Sequence, residues 1–326
     1  MRSLIAGTGS YAPEKILTNA DLEKMVETSD QWIVERTGIR ERHVAAPEQA
    51  TSDLALVAAE RALKDAGLAA VDVEMIVVGT ITPDYPWPSA AAVLQGKLGN
   101  KKAFAFDVSA ACAGSIYALA IADRFVASGA VKNALVLGVE TISRVTDWTD
   151  RNTCILFGDG AGAMVLKPTD DPRRGVLTTR LHADGALVPI LYQPGGGSRD
   201  PISEKVVRER SHFVKMNGRE VFKVAVRSLE EASREVLAAE HLTPGDVTYV
   251  IAHQANRRIL DATLTRLGVP PEKCWMNLEK YGNTSSASLP MTLDEAHRAG
   301  WFKPGDIILM MAIGGGMAWG ASVVRW

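Results

Sequence analysis

KKAFAFDVSAACAGSIYALAIADRFVASG, residues 101–129, changes its periodicity in the middle. Up to Ala110 it is a short apolar run of the kind a buried strand makes. From Ala113 onward the apolar residues recur at helical spacing, and Gly129 stands just past them, where a left-handed cap residue is wanted. Cys112 lies at the junction. A free cysteine among alanines packs as a small hydrophobe. A cysteine opening a helix also meets unpaired N–H groups and partial positive charge, which favour a thiolate and hence nucleophilic chemistry. The junction alone leaves both readings open.

Working outward, the same order of elements occurs twice. The first half reads helix (52–68), strand (72–82), helix (89–99), strand (101–110), helix (112–129), strand (133–141), strand (158–168). The second reads helix (220–242), strand (246–256), helix (257–268), strand (EKCWMNLEKY, 272–281), helix (282–300), strand (306–315), strand (316–326). Val221, Phe222, Ala225, Leu229, Ala232 and Val236 keep helical spacing, and MIVVG, ALVLG and IILMM are apolar throughout, as strands covered on both faces are. Gly67, Gly129, Gly268 and Gly300 close helical runs. The Gly- and Pro-rich stretch 187–203 reads as a surface loop near the join. Alternating strands and helices predict an α/β fold, and two such halves, 1–170 and 171–326, predict a five-layered sandwich.

The composition bounds the function. A chain of 326 residues with 47% hydrophobic and 23% charged residues buries a substantial core. Its net charge of −2 argues against nucleic acid as an obligatory partner. Three scattered cysteines form no disulfide framework, so a reducing, cytoplasmic setting is expected. No run is long and apolar enough to span a bilayer, and the N-terminus reads as a first strand and turn rather than a signal peptide.

The duplication has a chemical consequence. Asn283 opens the second-half helix that matches the helix opened by Cys112. His253 follows the strand VTYVIAH, at the carboxyl end where open α/β sheets bind ligands. Two pseudo-symmetric halves would bring Cys112, His253 and Asn283 to one cleft, an arrangement suited to nucleophilic catalysis.

The motifs GTGSYAPEKILTNADLEKMVETSDQWIVERTGIRERH (7–43), DVSAACAG, TDRN, FGDGAGAMV, NGREVFKVAV, AHQAN, YGNTSSAS and GGGMAWGASVVRW occur in this order. With them the chain resembles the β-ketoacyl-[acyl-carrier-protein] synthase III family of the thiolase superfamily, the initiating condensing enzymes of bacterial type II fatty-acid synthesis. The resemblance implies the thiolase-like duplicated αβαβα sandwich, a homodimer, and decarboxylative condensation of an acyl-CoA with malonyl-carrier protein. It implies that Cys112 carries the acyl group as a thioester, and that His253 and Asn283 hold the malonyl carbonyl oxygen. The backbone N–H groups of Cys112 and Gly315 would form the oxyanion hole. By the same resemblance Trp32 and Arg151 sandwich the CoA adenine, and Thr28, Arg36 and Asn256 contact the rest of that molecule. Arg219, Lys223 and Arg227, every fourth residue of one helix, with Arg257 and Arg258 opening the next, are candidates for docking an acidic carrier protein; a solvated basic face is the alternative. No metal or redox cofactor is implied, because the two thioesters arrive activated.

Two positions depart from the family pattern. Ile313 stands where phenylalanine commonly precedes the glycine run, and Trp87 where phenylalanine or a smaller residue of the partner subunit caps the acyl pocket. The bulky indole favours acetyl-CoA or another short primer, and the smaller Ile313 works against it. Two related readings keep the fold: a polyketide or other secondary-metabolite starter synthase, or an ester- or amide-forming acyltransferase. A silent carrier-binding subunit is the remaining alternative, disfavoured by the presence of all three polar residues. Cys154 and Cys274 read as packing residues, the other five histidines carry no assigned chemistry, and the glycines of GDGAGAMV run into a strand rather than a phosphate-binding helix.

Overall fold

The computed structural model describes residues 1–326. Its first sheet contains β1 (Arg2–Tyr11), β2 (Met75–Gly79), β3 (Phe104–Val108), β4 (Ala134–Glu140) and β5 (Gly160–Thr169), in the order β1-β5-β4-β2-β3. The second contains β6 (Gly175–Ala183), β7 (Tyr249–Ala252), β8 (Ile307–Gly314) and β9 (Ala318–Arg325), in the order β7-β8-β9-β6. β2 runs parallel to β3 and β4, as β7 does to β8; the remaining pairs of both sheets are antiparallel. β6, β7, β8 and β9 thus repeat β1, β2, β4 and β5.

The helices explain why the central strands are apolar on both faces. Ile76, Val78, Leu135 and Leu137 point outward onto α1 (Thr51–Asp65) and α2 (Ala90–Lys97). Met75, Val77, Ala134 and Val136 point inward onto α3 (Gly114–Ala127), which lies between the sheets. On the second sheet Val250, Leu309 and Met311 face α4 (Gly218–Ala239) and α5 (Arg257–Leu267), while Ile308 and Met310 face α3 and α6 (Ser288–Arg298). The result is the five-layered arrangement expected from the repeat, with α3 and α6 as the shared middle layer. Burying a large aliphatic side chain contributes about 1.5–3 kcal/mol, so this middle layer ties the two sheets together strongly. The four cap glycines all have positive φ, between 58° and 78°.

One expected strand does not form. In place of a second-sheet counterpart of β3, residues 272–281 make a single parallel bridge, Cys274 to Val250, and then one helical turn, Leu278–Tyr281. The reason is local. The buried Gln254 carboxamide accepts the backbone N–H groups of Asn277 and Leu278, at 2.9 and 2.8 Å, and donates to the Trp275 carbonyl at 2.7 Å. One side chain satisfies the backbone groups that a ladder would have used.

The stretch 187–203 also differs from the simple loop expected. A 3-10 turn, Gly185–Ile190, leads into Leu191–Tyr192, which pairs with Lys215–Met216. Leu191, Tyr192 and Gln193 line the cavity described next.

Candidate active site

Cys112 is reached through a tight 3-10 turn, Ala111–Ala113, between β3 and α3. Ala111 has φ 45°, in the left-handed region that side-chain residues seldom occupy. That turn leaves Cys112 7% exposed on a cavity of about 470 Å³. Backbone packs tightly behind it: a Cβ on Gly314 would stand 2.5 Å from the Cys112 nitrogen, so only glycine fits there. The volume is that of a small-ligand pocket, and its walls are mainly apolar.

His253 enters the same cavity from the end of β7, its backbone N–H bonded to Met311 at 2.8 Å. Burial pushes the imidazole down to about 4, against a smaller opposing pull from the Ser285 backbone, so the ring is neutral at pH 7. Its Nδ1 is buried and has no partner. Asn283 comes from the loop before α6, fixed by backbone bonds to Leu156 and Gly158 at 2.8 and 3.0 Å. Its side-chain oxygen accepts the Ser285 N–H at 2.9 Å, which leaves the amide donors for the cavity. Thus Cys112, His253 and Asn283 line one cavity, together with Gly315 and Ile313.

The standing thiolate expected from the helix N-terminus is not what the surroundings support. Burial pushes the Cys112 thiol up to about 11, and the nearby Glu140 charge adds to this. The Ser285 hydroxyl and the backbone of Cys112 and Gly315 pull the other way, less strongly. The resting group is a thiol that must lose its proton as it reacts.

Two residues here escaped the sequence reading. Ser285 Oγ lies 3.3 Å from Cys112 Sγ and 3.3 Å from Glu140 Oε1, and its φ of 52° is again left-handed. Glu140 is fully buried at the end of β4. It accepts hydrogen bonds from Thr82 Oγ1 (2.6 Å), Ser286 Oγ (3.1 Å), Ile81 N–H (3.2 Å) and Thr80 Oγ1 (3.3 Å), and no cation pairs with it. A lone acid closing the apolar run ALVLGVE was the available signal.

Trp32 lies outside this cavity, on the helix Asp30–Thr37 that Ser29 caps at 3.2 Å. The Arg36 and Arg151 guanidiniums both lie over its indole, 4.5 and 4.9 Å from the ring centre, and Arg151 also donates to the Glu27 carbonyl at 3.0 Å. An adenine entering between Trp32 and Arg151 would therefore have to part them. Thr28 Oγ1 nearby is buried without a partner. Asn256 lines the main cavity, but its side chain is committed: the oxygen caps α5 through Arg258 N–H at 2.8 Å, and the amide donates to the Arg36 carbonyl at 3.0 Å.

Arg219, Lys223, Arg227, Arg257 and Arg258 are all exposed on α4 and the start of α5. Lys223 pairs with Glu220 and Arg257 with Asp261, while Arg258 lies 5.9 Å over Phe222 at the cavity wall. Trp87 does not touch the cavity of its own chain; it is 84% exposed.

Family models described as 3-oxoacyl-[acyl-carrier-protein (ACP)] synthase III and as its C-terminal part match residues 106–185 and 237–326. A β-ketoacyl-[acyl-carrier-protein] synthase III of Caldanaerobacter subterraneus subsp. tengcongensis is 53% identical over 322 residues, covering 99% of this chain and 97% of the relative. The crystal structure of 3-oxoacyl-[acyl-carrier-protein] synthase III from Aquifex aeolicus superposes with a TM-score of 0.93 at 47% identity, covering 99% and 100% of the two chains. The priming β-ketosynthase of a polyketide biosynthetic pathway superposes with a TM-score of 0.92 at 35% identity, covering 99% and 96%.

Proposed function

Because the chain belongs to the 3-oxoacyl-[acyl-carrier-protein] synthase III family, the acyltransferases that initiate fatty-acid synthesis by condensing an acyl-CoA with malonyl-carrier protein, we propose that Cys112, His253 and Asn283 carry out that condensation here. The observation that supports this most is their meeting on one largely apolar cavity. Cys112 attacks the acyl carbonyl and CoA leaves as the thiol. Malonyl-carrier protein then enters, and a neutral His253 N–H with the Asn283 amide donates to its thioester oxygen. Breaking the bond to the carboxylate releases CO₂ and leaves the electron pair as an enolate that these two donors stabilise. The enolate carbon attacks the acyl-Cys112 carbonyl, whose oxyanion meets the N–H groups of Cys112 and Gly315. Collapse expels the Cys112 sulfur and frees the 3-oxoacyl-carrier protein. The scheme draws on the two thioesters and calls on no further cofactor.

The remaining roles follow the same reading. Trp32 and Arg151 receive the adenine, with Thr28, Arg36 and Asn256 along the rest of CoA, and the basic residues of α4 and α5 dock the acidic carrier protein. The partner is a second copy of the chain. β3 is an edge strand whose Phe104 is 43% exposed and stacks with Phe106, and Trp87 stands free to cap the partner's cavity. The halves 1–170 and 171–326 act as one catalytic unit in a cytoplasmic enzyme of short acyl-CoA primers. Likeness to a priming polyketide synthase leaves the same chemistry with another destination for the product.

The test offers a panel of acyl-CoA primers with malonyl-carrier protein and reads CO₂ and product length together. Release of CO₂ with a 3-oxoacyl-carrier protein from acetyl-CoA is expected. Acyl transfer to an alcohol or amine without CO₂ would overturn the reading.

A further inference from the structure

Glu140 has a setting that the condensation scheme does not use. It is a carboxyl with no solvent contact and no cation partner, separated from the nucleophile by a single serine. Burying a charge without a counter-charge is expensive, and a packing role would be met by an amide at lower cost. Burial pushes this carboxyl up to about 7, against the hydroxyl and N–H donors that surround it. Among titratable groups it faces Cys112 beyond Ser285, and the His253 imidazole meets the backbone of that same serine. Asp159, at the neighbouring strand, is turned to Ser143 and Ala45, and Asp84 to Ser52.

Ser285 stands between the two groups at 3.3 Å from each. A hydroxyl has one proton to give and two lone pairs to accept with, so it cannot donate to both neighbours at once. While Cys112 is a thiol, the arrangement that pairs every donor has S–H directed at Ser285 Oγ and Ser285 O–H directed at Glu140. Both contacts are long for a relay, as catalytic hydrogen bonds often are before substrate tightens them.

We propose that Glu140 is a positioning residue that takes up the Cys112 thiol proton through Ser285 during acyl loading. The thiol proton passes to Ser285 Oγ as the serine's own proton passes to Glu140 Oε1. The freed sulfur pair forms the bond to the acyl carbon, and the reoriented hydroxyl donates to the sulfur as it becomes charged. When the adduct collapses, the bond to the CoA sulfur breaks. That sulfur, leaving from the same carbon, takes the proton back from Glu140 through Ser285. The exchange is thiol for thiol, so one relay serves both directions and no outside acid or base is consumed.

The inference rests on acyl-Cys112 as the intermediate, and its test separates the two. Single-turnover loading of the full-length protein by acetyl-CoA is followed by intact mass between pH 5.5 and 9, for wild type, Glu140→Gln, Glu140→Asp and Ser285→Ala. Wild type should load faster as pH rises, with an inflection near 7. Glu140→Gln and Ser285→Ala should both lose that inflection and load about 10²-fold slower at pH 7.5. Glu140→Asp should restore part of the rate and the inflection. Iodoacetamide alkylation, read alongside, should show a lower thiol pKa in Glu140→Gln, because a neighbouring negative charge is gone. Wild-type loading with an unchanged pH profile in folded Glu140→Gln or Ser285→Ala would overturn the relay while leaving acyl-Cys112 intact. Absence of loading in the wild type would instead remove the intermediate itself.

Discussion

The backbone N–H of Ser285 holds the side-chain oxygen of Asn283 at 2.9 Å. An amide whose oxygen is tied in this way can present only its N–H₂ to the cavity, which makes Asn283 a donor by construction. Replacing it by aspartate keeps the shape and removes the donors. Asn283→Asp should lower CO₂ release from malonyl-carrier protein by about 10²–10³-fold, the usual cost of one oxyanion donor. Loading of Cys112 by acetyl-CoA should stay within a few-fold of wild type, and a fall in loading equal to the fall in CO₂ release would refute the assignment.

The duplicated element order already set Asn283 opposite Cys112, whereas its donor role came only with the family resemblance carried by YGNTSSAS. The fold itself was legible: strands such as MIVVG are apolar at every position because helices cover both faces, and that pattern is local in sequence. Residues 272–281 were not legible. There the Gln254 side chain takes the hydrogen bonds of a strand edge, and nothing in EKCWMNLEKY announces a partner about twenty residues upstream. The thiol's protonation was missed on similar grounds. A helix N-terminus is visible in sequence, whereas burial and the nearness of Glu140 arise only when distant segments meet.

Stability should respond to pH through two buried groups with opposite signs. His253 titrates near 4 in the fold against an ordinary value of 6.5, so the unfolded chain binds the extra proton between those values. Its contribution is present above about 6.5 and is lost as pH falls toward 4. Glu140 titrates near 7 against 4.5, so the folded state holds the extra proton, and its contribution is lost as pH rises through 7. Relative to wild type, Glu140→Gln should therefore gain stability between pH 5 and 8, on the order of 3 kcal/mol at most. Denaturant titrations at the two pH values check this, and a difference that does not change with pH contradicts it.

Trp32 is covered by two guanidiniums that an adenine in the proposed CoA site would displace or share. A cation–π contact contributes about 0.5–2 kcal/mol. Trp32→Ala should raise the KM for acetyl-CoA roughly threefold to thirtyfold, with kcat little changed. N-acetylcysteamine acetyl thioester, which lacks the nucleotide, should show no such penalty. Equal effects on both substrates would place Trp32 elsewhere in the reaction.

Trp87 is too exposed to belong to its own subunit's cavity. If it caps the partner's acyl cavity, Trp87→Ala should shift primer preference from acetyl-CoA toward longer acyl-CoAs by about tenfold or less, the range one pocket contact supplies. The proposed dimer should persist, since the edge strand β3 is untouched. Comparable or better turnover of a C8–C12 primer by the unmodified enzyme would contradict a cap that shortens the cavity.

The catalytic outcomes among these depend on a sulfur that becomes covalently loaded. Intact-protein mass after exposure to acetyl-CoA, without malonyl-carrier protein, tests that step directly. The wild type should gain one acetyl group, removable by hydroxylamine, and Cys112→Ser should show no such hydroxylamine-labile gain. A wild type that gains nothing, or an acetyl group that persists on other residues when Cys112 is replaced, would contradict the account.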